Sequence, residues 1–77
     1  QCIRPKYPPL ALRRGAEGKP TVKVWIDKSG KVVKTLLINQ SGIKSIDNSA
    51  EKAAIKSTFY PIEKESTLNI EYELKIK

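Results

Sequence analysis

Four carboxylates in the C-terminal part of the chain, Glu63, Glu65, Glu71 and Glu73, form i, i+2 pairs that an extended strand places on one face. Such pairs can divide acid and base roles when burial raises one pKa, but nothing around these residues suggests burial of that kind. The chain has no His, which removes imidazole as base or metal ligand, and its one cysteine, Cys2, cannot form a CxxC or zinc cluster. Gly15, Gly18, Gly30 and Gly42 are too scattered for a phosphate-cradling loop. Asp27-Lys28-Ser29-Gly30 opens like a calcium loop, yet the later carboxylates and closing Glu are missing, so it reads as a turn. No catalytic residue, metal ligand or cofactor is therefore expected, and the chain reads as a non-enzyme. Cys2, one residue from the chain end, cannot staple the fold and reads as a free thiol or as a boundary residue of an excised segment.

What remains for function is charge and backbone. Fifteen Lys and Arg against eight Asp and Glu give +7, and the excess is uneven. Residues 1–34 hold nine basic side chains (Arg4, Lys6, Arg13, Arg14, Lys19, Lys23, Lys28, Lys31, Lys34) against Glu17 and Asp27, whereas residues 35–77 hold six of each sign. The first half thus suits an acidic partner, a nucleic acid or an anionic lipid surface. The plain alternative is that the lysines keep a small domain soluble.

Seventy-seven residues suffice for one domain, 1–77, and a composition of 39% hydrophobic and 30% charged residues is that of an ordinary globular chain. Apolar runs such as Leu36 to Ile38 fall far short of the ~20 residues of a spanning helix. No apolar stretch follows Gln1-Cys2-Ile3-Arg4, so the segment reads as a mature product or an excised domain without a signal peptide.

The elements that would carry any function are legible from pattern. Tyr7 to Gly15 reads as an extended lead and a two-turn helix, with Pro9 in the first turn, Gly15 just past the end and Leu10, Ala11 and Leu12 as apolar contacts. Thr21 to Asp27 alternates, putting Val22, Val24 and Ile26 on one face and Lys23 and Trp25 on the other. The Asp27–Gly30 turn returns a second strand, Lys31 to Asn39, whose doubled apolar positions imply a bulge or two-sided contact. A helix follows from an Asp47 N-cap to about Thr58, with Glu51 in its first turn and Ile46, Ala50, Ala53, Ala54 and Ser57 on one stripe. Pro61 ends it, leaving Phe59 and Tyr60 as anchors. The last run alternates most clearly: Leu68, Ile70, Tyr72, Leu74 and Ile76 against Asn69, Glu71, Glu73, Lys75 and Lys77. With a right-handed crossover the expected fold is α+β, a three-stranded antiparallel or mixed sheet in order 2-1-3 with both helices on one face.

Arg4-Pro5-Lys6-Tyr7-Pro8, Glu17-Gly18 before a strand, Asp27-x-x-Gly30-Lys31-Val32, Ser41-Gly42, Ile46-Asp47 with Ala50 and Ala53, and Phe59-x-Pro61 occur in an order and spacing that resemble the TonB C-terminal domain family. The resemblance spans residues 4–77. Two departures are visible. Ser57 stands where the family usually has an aromatic, for which Trp25 is expected to compensate, and the loop after Phe59-x-Pro61 is shorter than usual.

The resemblance implies a periplasmic module of an inner-membrane-anchored energy transducer in the Gram-negative envelope. A proton-channel complex acts on the part of the protein upstream of this chain. The domain captures the Ton box of an outer-membrane TonB-dependent receptor as an added strand and pulls on it, for import of iron-siderophore, haem or cobalamin. It implies contacts along the edge strand, Leu68, Asn69, Ile70, Glu71, Tyr72, Glu73, Leu74, Lys75 and Ile76, and in the segment Arg4, Lys6, Tyr7 and Pro8, where Arg4 replaces a Gln. The residues agree independently, because order 2-1-3 leaves the last strand at an edge, open to another strand or to a second copy as a homodimer. Glu71, Glu73, Lys75 and Lys77 would discourage self-pairing. Two other readings stand beside this one. A basic nucleic-acid binder could stack bases on Trp25 beside Lys23, against which Glu71 and Glu73 argue, so no nucleic-acid partner is expected. A TonB-like envelope module without a transport role is the other.

Overall fold

Val22, Val24 and Ile26 are buried while Lys23 and Trp25 between them are only partly covered, and this two-residue period makes Thr21–Ile26 (β1) the central strand of the sheet in the computed structural model. The structure describes residues 3–76; the free-thiol reading of Cys2 and the placing of Lys77 on the last strand lie outside the described residues. The remaining elements are α1 (Pro9–Arg14), β2 (Val32–Asn39), α2 (Lys44–Lys56) and β3 (Ser66–Glu71). β1 pairs antiparallel with β2 on one side and with β3 on the other, giving the order β2-β1-β3. That is the expected 2-1-3 sheet.

The expected small-residue stripe of α2 is the face that packs: Ile46, Ala50, Ala53 and Ala54 are buried where α2 meets β1 and β2, and Ser57, just past the end of the helix, is buried too. Full burial of Val22, Val24 and Ile46 contributes about 1.5–3 kcal/mol each. The exposed Lys19–Glu73 ion pair, at 3.6 Å, is of a class worth about 0–1 kcal/mol. The α2–sheet layer therefore holds the fold, and surface charge does not.

α1 begins with Pro9, whose missing N–H is no loss there, and ends at Gly15 with φ +69°. Only Ala11 of its apolar residues is buried. Leu10 and Leu12, expected to pack, are more than half exposed because six residues turn just one side toward α2.

Three further expectations are corrected. α2 starts at Lys44, so Asp47 is not its N-cap and Glu51 lies beyond the first turn. The Asp47 carboxylate instead accepts the Ser41 N–H at 2.9 Å, tying the incoming loop to the helix. Tyr60 is 90% exposed and anchors nothing, leaving Phe59 to pack alone against the core. Trp25 points to the sheet face away from α2 and cannot fill the place of a missing aromatic at Ser57. There the Ser57 hydroxyl donates to the Ala53 carbonyl at 2.8 Å and accepts the Ile3 N–H at 3.0 Å.

The β1–β2 turn is built on Asp27, whose Oδ1 accepts the Ser29 hydroxyl at 2.6 Å and the N–H groups of Ser29 and Lys31 at 3.0 Å. The Ser29 hydroxyl bond, then the Lys31 amide, hold its pKa below the usual carboxylate value. A group with a lowered folded pKa stabilises above its unfolded pKa and loses that contribution as pH falls through the folded value. Asp27→Asn is therefore expected to lower Tm at pH 7 and to narrow the gap to wild type in acid, below about pH 4, by thermal denaturation across pH. A gap that is constant with pH would show that these bonds do not depend on the charge.

Candidate functional site

An antiparallel ladder alternates residue pairs that exchange both hydrogen bonds with pairs that exchange none, so two bonds fix the parity of a whole strand. Leu74 and Gly18 exchange N–H to carbonyl bonds at 2.9 and 3.1 Å, and the Tyr72 N–H donates to the Pro20 carbonyl at 2.9 Å. The same register continues through Ile70↔Val22, Leu68↔Val24 and Ser66↔Ile26. Ser66, Leu68, Ile70, Tyr72 and Leu74 therefore bond inward. Thr67, Asn69, Glu71 and Glu73 present their N–H and C=O groups outward, where no described residue bonds to them.

The last strand thus differs from the expected Leu68–Ile76. Regular β3 runs Ser66–Glu71, and the pairing continues past it to Leu74. Its apolar face is also only partly covered: Tyr72 and Leu74 are buried, Ile70 is half-buried and Leu68 is 43% exposed. The reason is that α2 lies over β1 and β2, leaving the beginning of β3 without a helix above it. Ile76 is half-buried, and its N–H donates to Glu17 Oε2 at 2.9 Å.

The two edges of the sheet are unlike. β2 carries register shifts at both ends, between Thr21 and Val22 and between Trp25 and Ile26 of its partner, and such bulges twist an edge and interrupt its ladder. β3 has none from Ser66 to Leu74. Beside it runs an open groove of roughly 650 Å³ with Ile3, Arg4, Pro5 and Tyr7 on one wall and Ile70 to Lys75 on the other.

Of the segment expected to act with this edge, Arg4 and Tyr7 line the groove. Lys6 lines a different depression against α2, and Pro8 is the residue before α1. The Tyr7 hydroxyl donates to the Ala16 carbonyl, fixing the segment to the loop after α1. Its withdrawal from water, with the nearby Glu17 charge, raises its pKa above the ordinary tyrosine value. The Gly18 and Pro20 carbonyls, which accept the Leu74 and Tyr72 N–H groups, decide which amides of the strand face outward.

The opposite sheet face carries Trp25, with Lys34 Nζ 4.7 Å and Lys23 Nζ 5.2 Å from its ring centre. Both ammonium groups occupy the ring surface that a base would need, and Glu65 lies in the same depression as Trp25. RNA and single-stranded DNA are accordingly expected to bind only weakly. A submicromolar, steeply salt-dependent affinity by fluorescence anisotropy at physiological ionic strength would overturn this. Among the described residues no helix is long and apolar enough to cross a membrane, and no group of His, Cys, Asp and Glu is placed to hold a metal ion.

Residues 3–77 match the family described as Gram-negative bacterial TonB protein C-terminal. A TonB protein of Vibrio cholerae is 36% identical over 59 residues, which is 77% of this chain and 24% of that protein. A tonB2 protein of Pseudomonas aeruginosa is 37% identical over 57 residues, 74% of this chain and 21% of that protein. The chain therefore spans only about a quarter or less of the length of the curated relatives it matches. The solution NMR structure of the Pseudomonas aeruginosa TonB C-terminal domain superposes with a TM-score of 0.83 at 22% identity, covering 100% of this chain and 83% of that one, and so shares the fold.

Proposed function

The chain belongs to the Gram-negative bacterial TonB protein C-terminal family, and on that premise we propose that it captures the Ton box of an outer-membrane receptor as a fourth strand on the free edge of β3. The observation that carries this reading is the unbulged outward row at Thr67, Asn69, Glu71 and Glu73, flanked by the groove under Arg4 and Tyr7. Main-chain bonds supply affinity with little demand on sequence, so one domain could serve several receptors. A pull along the added strand loads its hydrogen bonds together, which suits transmission of force. In this reading the domain is the periplasmic end of a protein anchored in the inner membrane and driven by a proton-channel complex through parts outside this chain, and the cargo is iron-siderophore, haem or cobalamin. A homodimer through the same edge would compete with the receptor, and Glu71, Glu73 and Lys75 disfavour it by charge.

Amide chemical-shift mapping of the labelled domain with a receptor Ton-box peptide tests the proposal. Perturbations should centre on residues 67–75. Shifts confined to α1 and the β1–β2 turn, with β3 silent, would place the binding surface elsewhere. Arg4 is exposed and has no carboxylate partner among the described residues. Arg4→Ala is expected to weaken the peptide by about 0.2–1 kcal/mol with no change in Tm. Tyr7→Ala should instead lower Tm, because it removes the bond to Ala16 and the ring's packing against the core. Unchanged affinity in Arg4→Ala by calorimetry would remove Arg4 from the site.

A further inference from the structure

A second depression, of about 320 Å³, lies on the other side of the N-terminal segment, between that segment and α2. Arg4 and Lys6 line it from the segment, and Lys52 and Lys56, one helical turn apart, line it from α2. All four are exposed, and no carboxylate lines the depression or pairs with any of them among the described residues. Like charges at helical i, i+4 spacing are unfavourable on their own, and here two more cations are added from a facing wall.

The walls are held in place by the backbone. The Ser49 hydroxyl donates to the Lys6 carbonyl, and the Ile3 N–H donates to Ser57 Oγ at 3.0 Å, so the segment is strapped to α2 at both ends of the depression. Ile3, Arg4 and Pro5 line both this depression and the β3 groove, so the segment forms the wall between the two. For its flank to reach the basic depression, a chain lying along the outward row of β3 crosses the segment near Arg4, which lines both.

We infer that the four cations form a subsite for acidic residues flanking the strand-adding segment of the partner, so that the β3 edge supplies affinity and this subsite selects partners with acidic flanks. The inference rests on the strand-addition reading above. A recess of about 320 Å³ between a helix and a strapped segment suits a few carboxylates on a peptide better than a lipid surface, which would favour a broad flat patch. Its charge and salt dependence follow from carboxylate contacts to exposed cations.

The test uses one receptor-derived extended peptide in two synthetic forms, with the three residues on each side of the strand segment set either to Glu or to Gln. Titration by calorimetry at low salt should show the Glu form binding about tenfold tighter, with the advantage shrinking as salt rises. In the double variant Lys52→Glu with Lys56→Glu, both on the solvent side of α2, the advantage should vanish while the Gln form binds as before and circular dichroism stays native. Equal binding of the two peptides overturns the inference and leaves strand addition standing. No binding of either peptide overturns strand addition and the inference with it. Sedimentation with phosphatidylglycerol vesicles that the double variant abolishes, without preference between peptides, assigns the cations to a membrane surface and also overturns it.

Discussion

Gly30→Ala is expected to destabilise the domain by about 3–5 kcal/mol, which for a 77-residue chain at ~0.05–0.15 kcal/mol per residue is a large part of the total. Gly30 has φ +90° and is buried, and a Cβ built on it would lie 1.9 Å from the Phe59 carbonyl oxygen and 2.7 Å from its carbon. A left-handed conformation alone costs a residue with a side chain about 1–2 kcal/mol. The rest is the clash, which only backbone movement can relieve. The Phe59 N–H donates to the Gly30 carbonyl at 2.8 Å and the Ile62 N–H to the Lys28 carbonyl at 3.0 Å, so moving the segment away breaks bonds of about 0.5–1.5 kcal/mol each. Gly15→Ala is the control: φ is +69°, but no atom lies within 4 Å of its Cβ, so only the conformational cost of about 1–2 kcal/mol applies. Urea denaturation followed by circular dichroism compares the two. Equal losses would mean that the turn does not press against Phe59.

Glu71→Pro is expected to weaken Ton-box peptide binding by at least ~1 kcal/mol, or about fivefold, and by more if the ring blocks approach of the peptide. Glu71 is at an outward position of β3, so its N–H is not used by the sheet, and Pro tolerates such edge positions. The residue before it, Ile70, is already in a strand, the region Pro demands of its predecessor. Tm should therefore fall by only a few degrees. Glu71→Ala separates the side chain from the backbone and should bind nearly as wild type. Affinity unchanged in Glu71→Pro by calorimetry would show that the peptide does not use the main chain of β3 at this position. The inward neighbour behaves oppositely: Tyr72 donates its N–H to Pro20, and Tyr72→Pro should lose the fold before binding can be measured.

Much of this architecture is written in short-range pattern. Alternation at Val22, Val24 and Ile26 needs only one buried sheet face, and the Ile46, Ala50, Ala53, Ala54 stripe needs only the 3.6-residue period against that face. Pro9 and Gly15 bound α1 through backbone constraints that hold in any context, and Gly30 marks its turn for the same reason. The sequence holds no His and one Cys, so neither an imidazole nor a CxxC pair can come from this chain.

Other features depended on where α2 comes to rest. Leu68 and Ile70 alternate as regularly as Tyr72 and Leu74, yet only the latter pair is buried, because periodicity states which face is apolar and not how far a covering helix reaches. Asp47 has the chemistry of an N-cap but bonds Ser41 across a loop, since a carboxylate takes whichever amide the chain brings near. The outward parity of β3 was invisible as well. Every residue of a strand has the same donors and acceptors, and only pairing with Gly18 and Pro20, more than fifty residues earlier, determines which of them remain unbonded. The basic depression has the same origin: Arg4 and Lys6 meet Lys52 and Lys56 only because Ser49 and Ser57 strap the N-terminal segment to α2. Local sequence thus determined the elements and their buried faces through backbone sterics and side-chain period, whereas the open edge and its charged surroundings were decided by long-range hydrogen bonds and by the limited reach of one helix.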